Sequence, residues 1–291
     1  AFSLLYPAIL DEFGWDRGAT AGIFAFGFAA SMGLTPFVGI AMERFGPQRV
    51  IPVGALFVAL GLLLATQATT LWMFYVTFGA MTVGGSVFLS YIGHTTFLPN
   101  WFVRRRGMMI AIAFSGVGVG GIVLLPALQA FIGAVGWREA CIGMAILVLV
   151  VIVPINAVLQ RHRPEDLQLE PDGEQATGPN TSAARRAAEI ADPSFAAIEW
   201  TYRRIAREPR FWALSGALFC SLFVHYAVLV HQTKFFIEVG FSVTQSAWAL
   251  GFVGLVGIPG QLFIGALSDR IGREWGWALA MSGYVIAFSL F

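Results

Sequence analysis

The chain alternates long apolar stretches with short polar breaks. Several of the stretches exceed the roughly 18 to 20 residues that cross about 30 Å of hydrocarbon. A water-filled compartment does not tolerate such runs, so the expected fold is an all-α, polytopic membrane protein. Composition supports this: 57% of residues are hydrophobic, 12% are charged and mean hydropathy is +0.73, whereas soluble domains carry about 25% charged residues.

Nine spans follow from the pattern, with ends loose by about two to four residues. They cover residues 1–13, 20–41, 50–66, 71–98, 107–133 and 138–160, then, after a polar interval, 210–238, 243–268 and from 275 onward. The sequence opens inside one helix and stops inside another, with no initiator Met and no signal-peptide n-region, so a piece of a longer protein is expected. The organisation read from this is a six-helix bundle over 1–160, a linker over 161–208 and a partial second bundle over 209–291.

Two segments repeat one another. Gly39 to Arg49 reads GIAMERFGPQR and Gly265 to Glu274 reads GALSDRIGRE. An ungapped offset of 226 residues, from Gly39 to Gly265, also superposes Glu12 on Glu238, Gly14 on Gly240, Glu43 on Asp269, Arg44 on Arg270 and Gly46 on Gly272. Internal repeats of helical membrane units mark transporters whose halves rock about a central site. Asp16 and Ser242, equivalent under the offset, are the expected N-caps of spans 2 and 8.

Charge distribution sets orientation. All basic residues except Arg17, Arg138 and Lys234 fall in loops on one side, which the positive-inside bias makes cytoplasmic. Both repeated turns then face the cytoplasm, and the net charge of +1 predicts no nucleic-acid partner. Residues 161–186 contain almost nothing that builds a core and read as a mobile linker. Asp192 and Pro193 then resemble a helix start, with Phe195, Ile198, Tyr202 and Ile205 on one face, the pattern of a short interfacial helix or of a partly ordered solvated segment.

The repeated turns resemble the G-x-x-x-[DE]-R-x-G signature of the major facilitator superfamily, and the resemblance covers essentially the whole chain. WFVRRRG at 101–107, the Gly-rich fifth span and GWREA at 136–140 are further similar to its monocarboxylate-porter and oxalate/formate-exchanger branch. The resemblance implies a two-bundle fold of twelve helices, of which about nine are present, with helices 1, 4, 7 and 10 lining a central cavity. It further implies a multi-pass protein of a plasma or bacterial inner membrane, working as a monomer by alternating access.

The repeated turns have a physical rationale of their own. Gly39 and Gly265 permit close helix approach, Gly46 and Gly272 permit a tight turn, and Glu43 and Asp269 accept hydrogen bonds from arginines. Glu43, Arg44, Arg49, Asp269, Arg270 and Arg273 are therefore read as an inner gate, against the alternative of arginines that only anchor the protein to anionic lipid.

Candidate solute contacts come from polar residues inside spans. Thr82, Ser86, Ser90 and His94 recur every four residues, as a cavity-lining stripe or as interhelical glue. His94 is either a functional ionisable group or a structural histidine. Ser221 and His225 share a face of span 7, and Lys234, the chain's sole lysine, either snorkels or turns inward toward an anionic solute. Tyr6 is either a lining residue or a packing tyrosine; Asp11 and Glu12 read as solvated.

Two departures from the branch pattern bear on the solute. Gln261 stands where carboxylate carriers place an arginine, and Gly121 stands at the proline of the exchanger motif. Gly116, Gly118 and Gly121 also spell a dinucleotide fingerprint without the strand that such a site needs. No catalytic constellation, Walker loop or metal spacing is present, so neither an enzyme nor a bound cofactor is expected. Cys141 and Cys220 stand singly and read as buried, inert thiols.

The resulting expectation is a secondary carrier for a small organic solute, an organic anion such as a monocarboxylate, with a co-transported proton or an exchanged anion as possible partner. A carrier of neutral or cationic solutes, a drug exporter, and a membrane receptor or sensor are the alternatives.

Overall fold

The computed structural model describes residues 2–102, 105–161, 163–167, 169, 171, 194, 197, 198 and 200–290. No strand occurs among them. Helix α1 spans Phe2–Phe13, α2 Arg17–Phe45 and α3 Pro47–Ala65. The fourth span is composite: α4 (Leu71–Phe74), a π-helical segment (Tyr75–Gly84), a 3-10 segment (Gly85–Leu89) and α5 (Tyr91–Trp101). Then come α6 (Arg106–Val135) and a sixth span made of α7 (Trp137–Leu147), a π turn (Val148–Ile152) and α8 (Val153–Leu159). After the linker follow α9 (Tyr202–Ile205), α10 (Pro209–Glu238), α11 (Val243–Ile271) and α12 (Arg273–Leu290).

Among the described residues, six helices are long and apolar enough to cross a bilayer: Arg17–Phe45, Pro47–Ala65, Leu71–Trp101, Arg106–Val135, Trp137–Leu159 and Phe252–Ile271. The other expected spans are helical as α1, α10 and α12. Their flanks behave as membrane surface: Phe28, Met32, Phe37, Val117 and Val150 are all exposed large apolar residues.

The repeat is written in the backbone. Helices α2 and α11 both have 29 residues, and each begins and ends at positions related by the 226-residue offset. Positive-φ glycines flank both, Gly14 and Gly46 around α2 and Gly240 and Gly272 around α11. The Asp16 carboxylate accepts from the Ala19 amide at 3.0 Å, so the expected N-cap of α2 forms.

The chain divides into two compact units: Ala1–Ile110 with Val119–Gln175, and Ala111–Gly118 with Ala176–Phe291. In the first, Leu5, Ile9, Ile23, Leu62, Phe74, Phe78, Trp137 and Cys141 bring α1, α2, α3, the fourth span and α7 into one core. A smaller core of Val38, Met42, Ile51, Val87 and Phe97 holds the opposite ends of α2, α3 and the fourth span. In the second unit, α11 packs against both α10 and α12.

The linker is described in part. Arg185, Arg186, Asp192, Pro193 and Phe195 lie outside the described residues, while Ser194 is helical, Ile198 sits in a bend and Trp200 in irregular chain. A separate single turn, α9, starts after Thr201, whose hydroxyl accepts from the Arg204 amide. A β-region cap competes with helix extension backward through that position.

Candidate functional site

Each repeated turn is built around a glycine that a side chain would strain. Gly46, at φ 76°, donates its amide to Met42 O at 3.0 Å and accepts from the Arg49 and Val50 amides, so it closes α2 and opens α3 at once. Pro47 follows at the first helical position, where a missing amide is harmless. Gly272, at φ 98°, repeats the device between α11 and α12, bonding to Ser268 O at 3.1 Å.

The two copies differ in their side chains. In the second, the Arg273 guanidinium pairs with Asp269 at 2.6 Å and donates to Ser268 Oγ at 2.9 Å. The Asp269 side chain is 9% exposed and the Arg273 side chain 49%, so the latch is sheltered on its carboxylate side only. In the first copy Glu43, Arg44 and Arg49 are all exposed, and among the described residues Glu43 has no ion pair. The offset explains the difference: Met42 and Pro47 occupy the places of Ser268 and Arg273, so the first copy lacks both the hydroxyl and the cation. Arg44 lies instead against the Phe45 ring, 5.4 Å from its centroid. Arg270 is exposed.

Gly39 does not serve as a close-approach point, because a Cβ built there meets no atom within 4 Å. Gly265 is buried. The tight crossing of α11 and α12 falls instead at Gly276, where a Cβ would lie 2.7 Å from that of Ser268.

The hydroxyl stripe of the fourth span does not form one face. A four-residue spacing aligns side chains only on an α-helix, and here the backbone passes from π to 3-10 geometry and turns extended at Ser90. Thr82 faces Gly61 of α3, while Ser86 is exposed. Each hydroxyl returns to its own chain: Thr82 Oγ1 to Thr77 O at 3.1 Å, Ser86 Oγ to Val83 O at 2.6 Å and Ser90 Oγ to Val87 O at 2.8 Å. His94 Nδ1 stands 3.0 Å from Ser90 O, and its ring packs on Phe97.

In α10 the shared face is as the spacing implies. Ser221 lies 2.7 Å from Ala217 O and 3.0 Å from Met281 Sδ, and its single proton goes to the carbonyl, the stronger acceptor. His225 Nδ1 is 3.0 Å from the Tyr284 hydroxyl. These contacts border a groove of about 430 Å³ lined by Cys220, Ser221, Val224, Met281, Tyr284 and Ser289. Cys141 is buried as expected, but Cys220 is exposed on this groove. The Lys234 side chain lies outside what is described. Tyr6 donates its hydroxyl to Arg17 O at 2.9 Å, across the turn between α1 and α2.

The strongest polar cluster escaped the sequence pattern. Glu12, expected to be solvated, takes both Arg138 terminal nitrogens at 2.7 Å and the Trp137 indole N–H at 2.7 Å. Arg138 also donates to Thr66 O at 3.0 Å and lies over the Trp137 ring, 4.4 Å from its centroid. Phe13, Trp15 and Phe74 stack around them. This ties α1 to α7 and to the end of α3, using the Trp and Arg of the GWREA segment. At the other end of the sixth span, Gln48 Nε2 donates to Ala157 O at 2.7 Å and Trp101 Nε1 to Arg161 O at 3.1 Å. One late carbonyl of α8, Ala157 O, and that of Arg161 just beyond it thus acquire partners that a helix end lacks.

With this geometry in view, similarity to known proteins becomes specific. The chain is 27% identical over 279 residues to monocarboxylate transporter 12 of Rattus norvegicus, covering 92% of this chain and 56% of the relative. The human monocarboxylate transporter 12 is 25% identical, with 92% and 53% covered. A fujikurins efflux protein of Gibberella fujikuroi is also 25% identical, over 86% of this chain and 48% of its own length. The chain therefore spans about half the length of the curated relatives it matches. The family model of the Major Facilitator Superfamily matches residues 1–291, and the chain belongs to that family.

Proposed function

We propose that the protein is a secondary carrier that moves a small organic solute across a membrane by alternating access. The observation that carries the proposal is the backbone repeat: α2 and α11 have equal length and closing glycines of positive φ at equivalent positions. Related units flanking one site are what rocking between inward-open and outward-open states requires.

The repeated turns form the inner gate in this reading, with the Asp269–Arg273–Ser268 latch as its stronger half. Glu43, Arg44 and Arg49 form the weaker half and engage in the other conformation. Ser221 and His225 are the solute contacts with the most support, since Ser221 lines the groove and His225 meets Tyr284, which lines it too. Tyr6, Ser90, His94 and Lys234 complete the candidate set.

Similarity to proteins named monocarboxylate transporters supports an organic anion, while Gln261 in place of an arginine and the likeness to a fungal efflux protein favour a wider panel. Proton coupling through a histidine, a monomeric working unit and a plasma-membrane location belong to the same proposal. The relatives come from animals and a fungus, which supports a eukaryotic membrane and lends nothing to a bacterial inner one.

Uptake of radiolabelled carboxylates, sugars, amines and drugs into proteoliposomes carrying the full-length protein tests the proposal. Saturable uptake of one class is expected. Absence of uptake for every class in a correctly inserted protein removes it.

A further inference from the structure

We propose that the segment from Trp200 to Trp212, WTYRRIAREPRFW, is a docking surface for the headgroups of anionic phospholipids. This surface is independent of any solute site. Its backbone is compact for so short a stretch. Thr201 caps the single turn of α9, Arg207 N bonds to Arg204 O at 3.1 Å, and the Trp212 indole donates to Ala206 O at 2.8 Å. That last bond folds the turn back on the first residues of α10, which begins at Pro209.

The side chains divide into two kinds. Tyr202 is 74% exposed and Trp212 60% exposed, large rings of the sort that settle at headgroup depth. Arg203, Arg204 and Arg207 are exposed too, and none forms an ion pair among the described residues. Glu208, the carboxylate inside the segment, lies 4.0 Å from Arg210. Arg204 leans over the Trp200 ring, 5.9 Å from its centroid. Three fork-shaped cations without an internal anion match phosphodiester oxygens. The rings between them, and α10, an expected span that begins at Pro209, fit a phosphate that carries acyl chains. A soluble phosphate gives the rings nothing to insert into.

The whole chain in phosphatidylcholine vesicles doped with phosphatidylglycerol tests this. The readout is tryptophan quenching by brominated phosphatidylglycerol compared with brominated phosphatidylcholine, corrected with a Trp200→Phe, Trp212→Phe variant. The unsubstituted chain should prefer phosphatidylglycerol, the preference should weaken with salt, and each arginine replaced by Gln should lower affinity roughly fivefold. Replacement of all three by Lys should keep most of the preference. If the triple Gln variant fails to insert, Arg204→Gln alone carries the test. No preference in the unsubstituted chain, an unchanged preference in the Gln variants, or full competition by soluble glycerol phosphate overturns the assignment.

Discussion

At the scale of single residues, several side-chain contacts that tie one helix to another join groups far apart in sequence. Glu12 and Arg138 meet in a two-pronged pair whose side chains stay 39% and 36% exposed, so water screens it. A double-mutant cycle of Glu12→Gln and Arg138→Gln, read by thermal unfolding in detergent, should return a coupling of about 1 kcal/mol, the upper end for exposed pairs. Asp269 is more sheltered and bonds to a cation that also holds Ser268. Asp269→Asn should slow transport by the full-length protein and shift the balance of inward- and outward-open states, with membrane insertion unchanged, while Glu43→Gln should leave thermal stability unaltered. Equal kinetics in Asp269→Asn and the parent would dismiss the latch. His225→Ala should abolish uptake or its pH dependence, and unaltered behaviour would return His225 to a packing role beside Tyr284. None of the long-range pairs is visible in the sequence, because no local period links position 12 to 138 or 48 to 157.

At the scale of elements, the sequence is far more legible. Lipid forces each crossing to be a continuous apolar run, so the spans and their ends fall within about four residues of where hydropathy puts them. Asp16 caps α2, and glycine closes both repeated turns, for reasons that lie within a few residues. Gly46→Ala and Gly272→Ala each place a Cβ in the left-handed region and should cost about 1–2 kcal/mol in unfolding free energy; no loss at either would show that the turn relaxes to another geometry. The fourth span resists such reading. Its apolar content predicts a helix, but the change from α to π to 3-10 depends on how closely Gly79 and Gly84 let it lie against α2, a tertiary matter that no four-residue count contains. The hydroxyl stripe failed for this reason.

At the scale of the whole molecule, the offset of 226 residues is the most informative feature, since it joins the family signature to backbone geometry found twice. What the repeat leaves illegible is divergence between the copies: Pro47 against Arg273 and Met42 against Ser268 make one turn bare and the other latched. Trypsin acting on the chain in native membranes should cut first between 161 and 208, at sites such as Arg185 and Arg186, and leave two membrane-resistant fragments. Early cleavage within 1–160 or 209–291 would contradict that organisation. The composite fourth span has a mechanical corollary. Its five 3-10 residues, Gly85–Leu89, each advance about 2.0 Å along the axis against 1.5 Å in an α-helix. Rewinding them would shorten the rod by roughly 2.5 Å, a piston stroke obtained from a change of pitch, with α2 and α3 standing still.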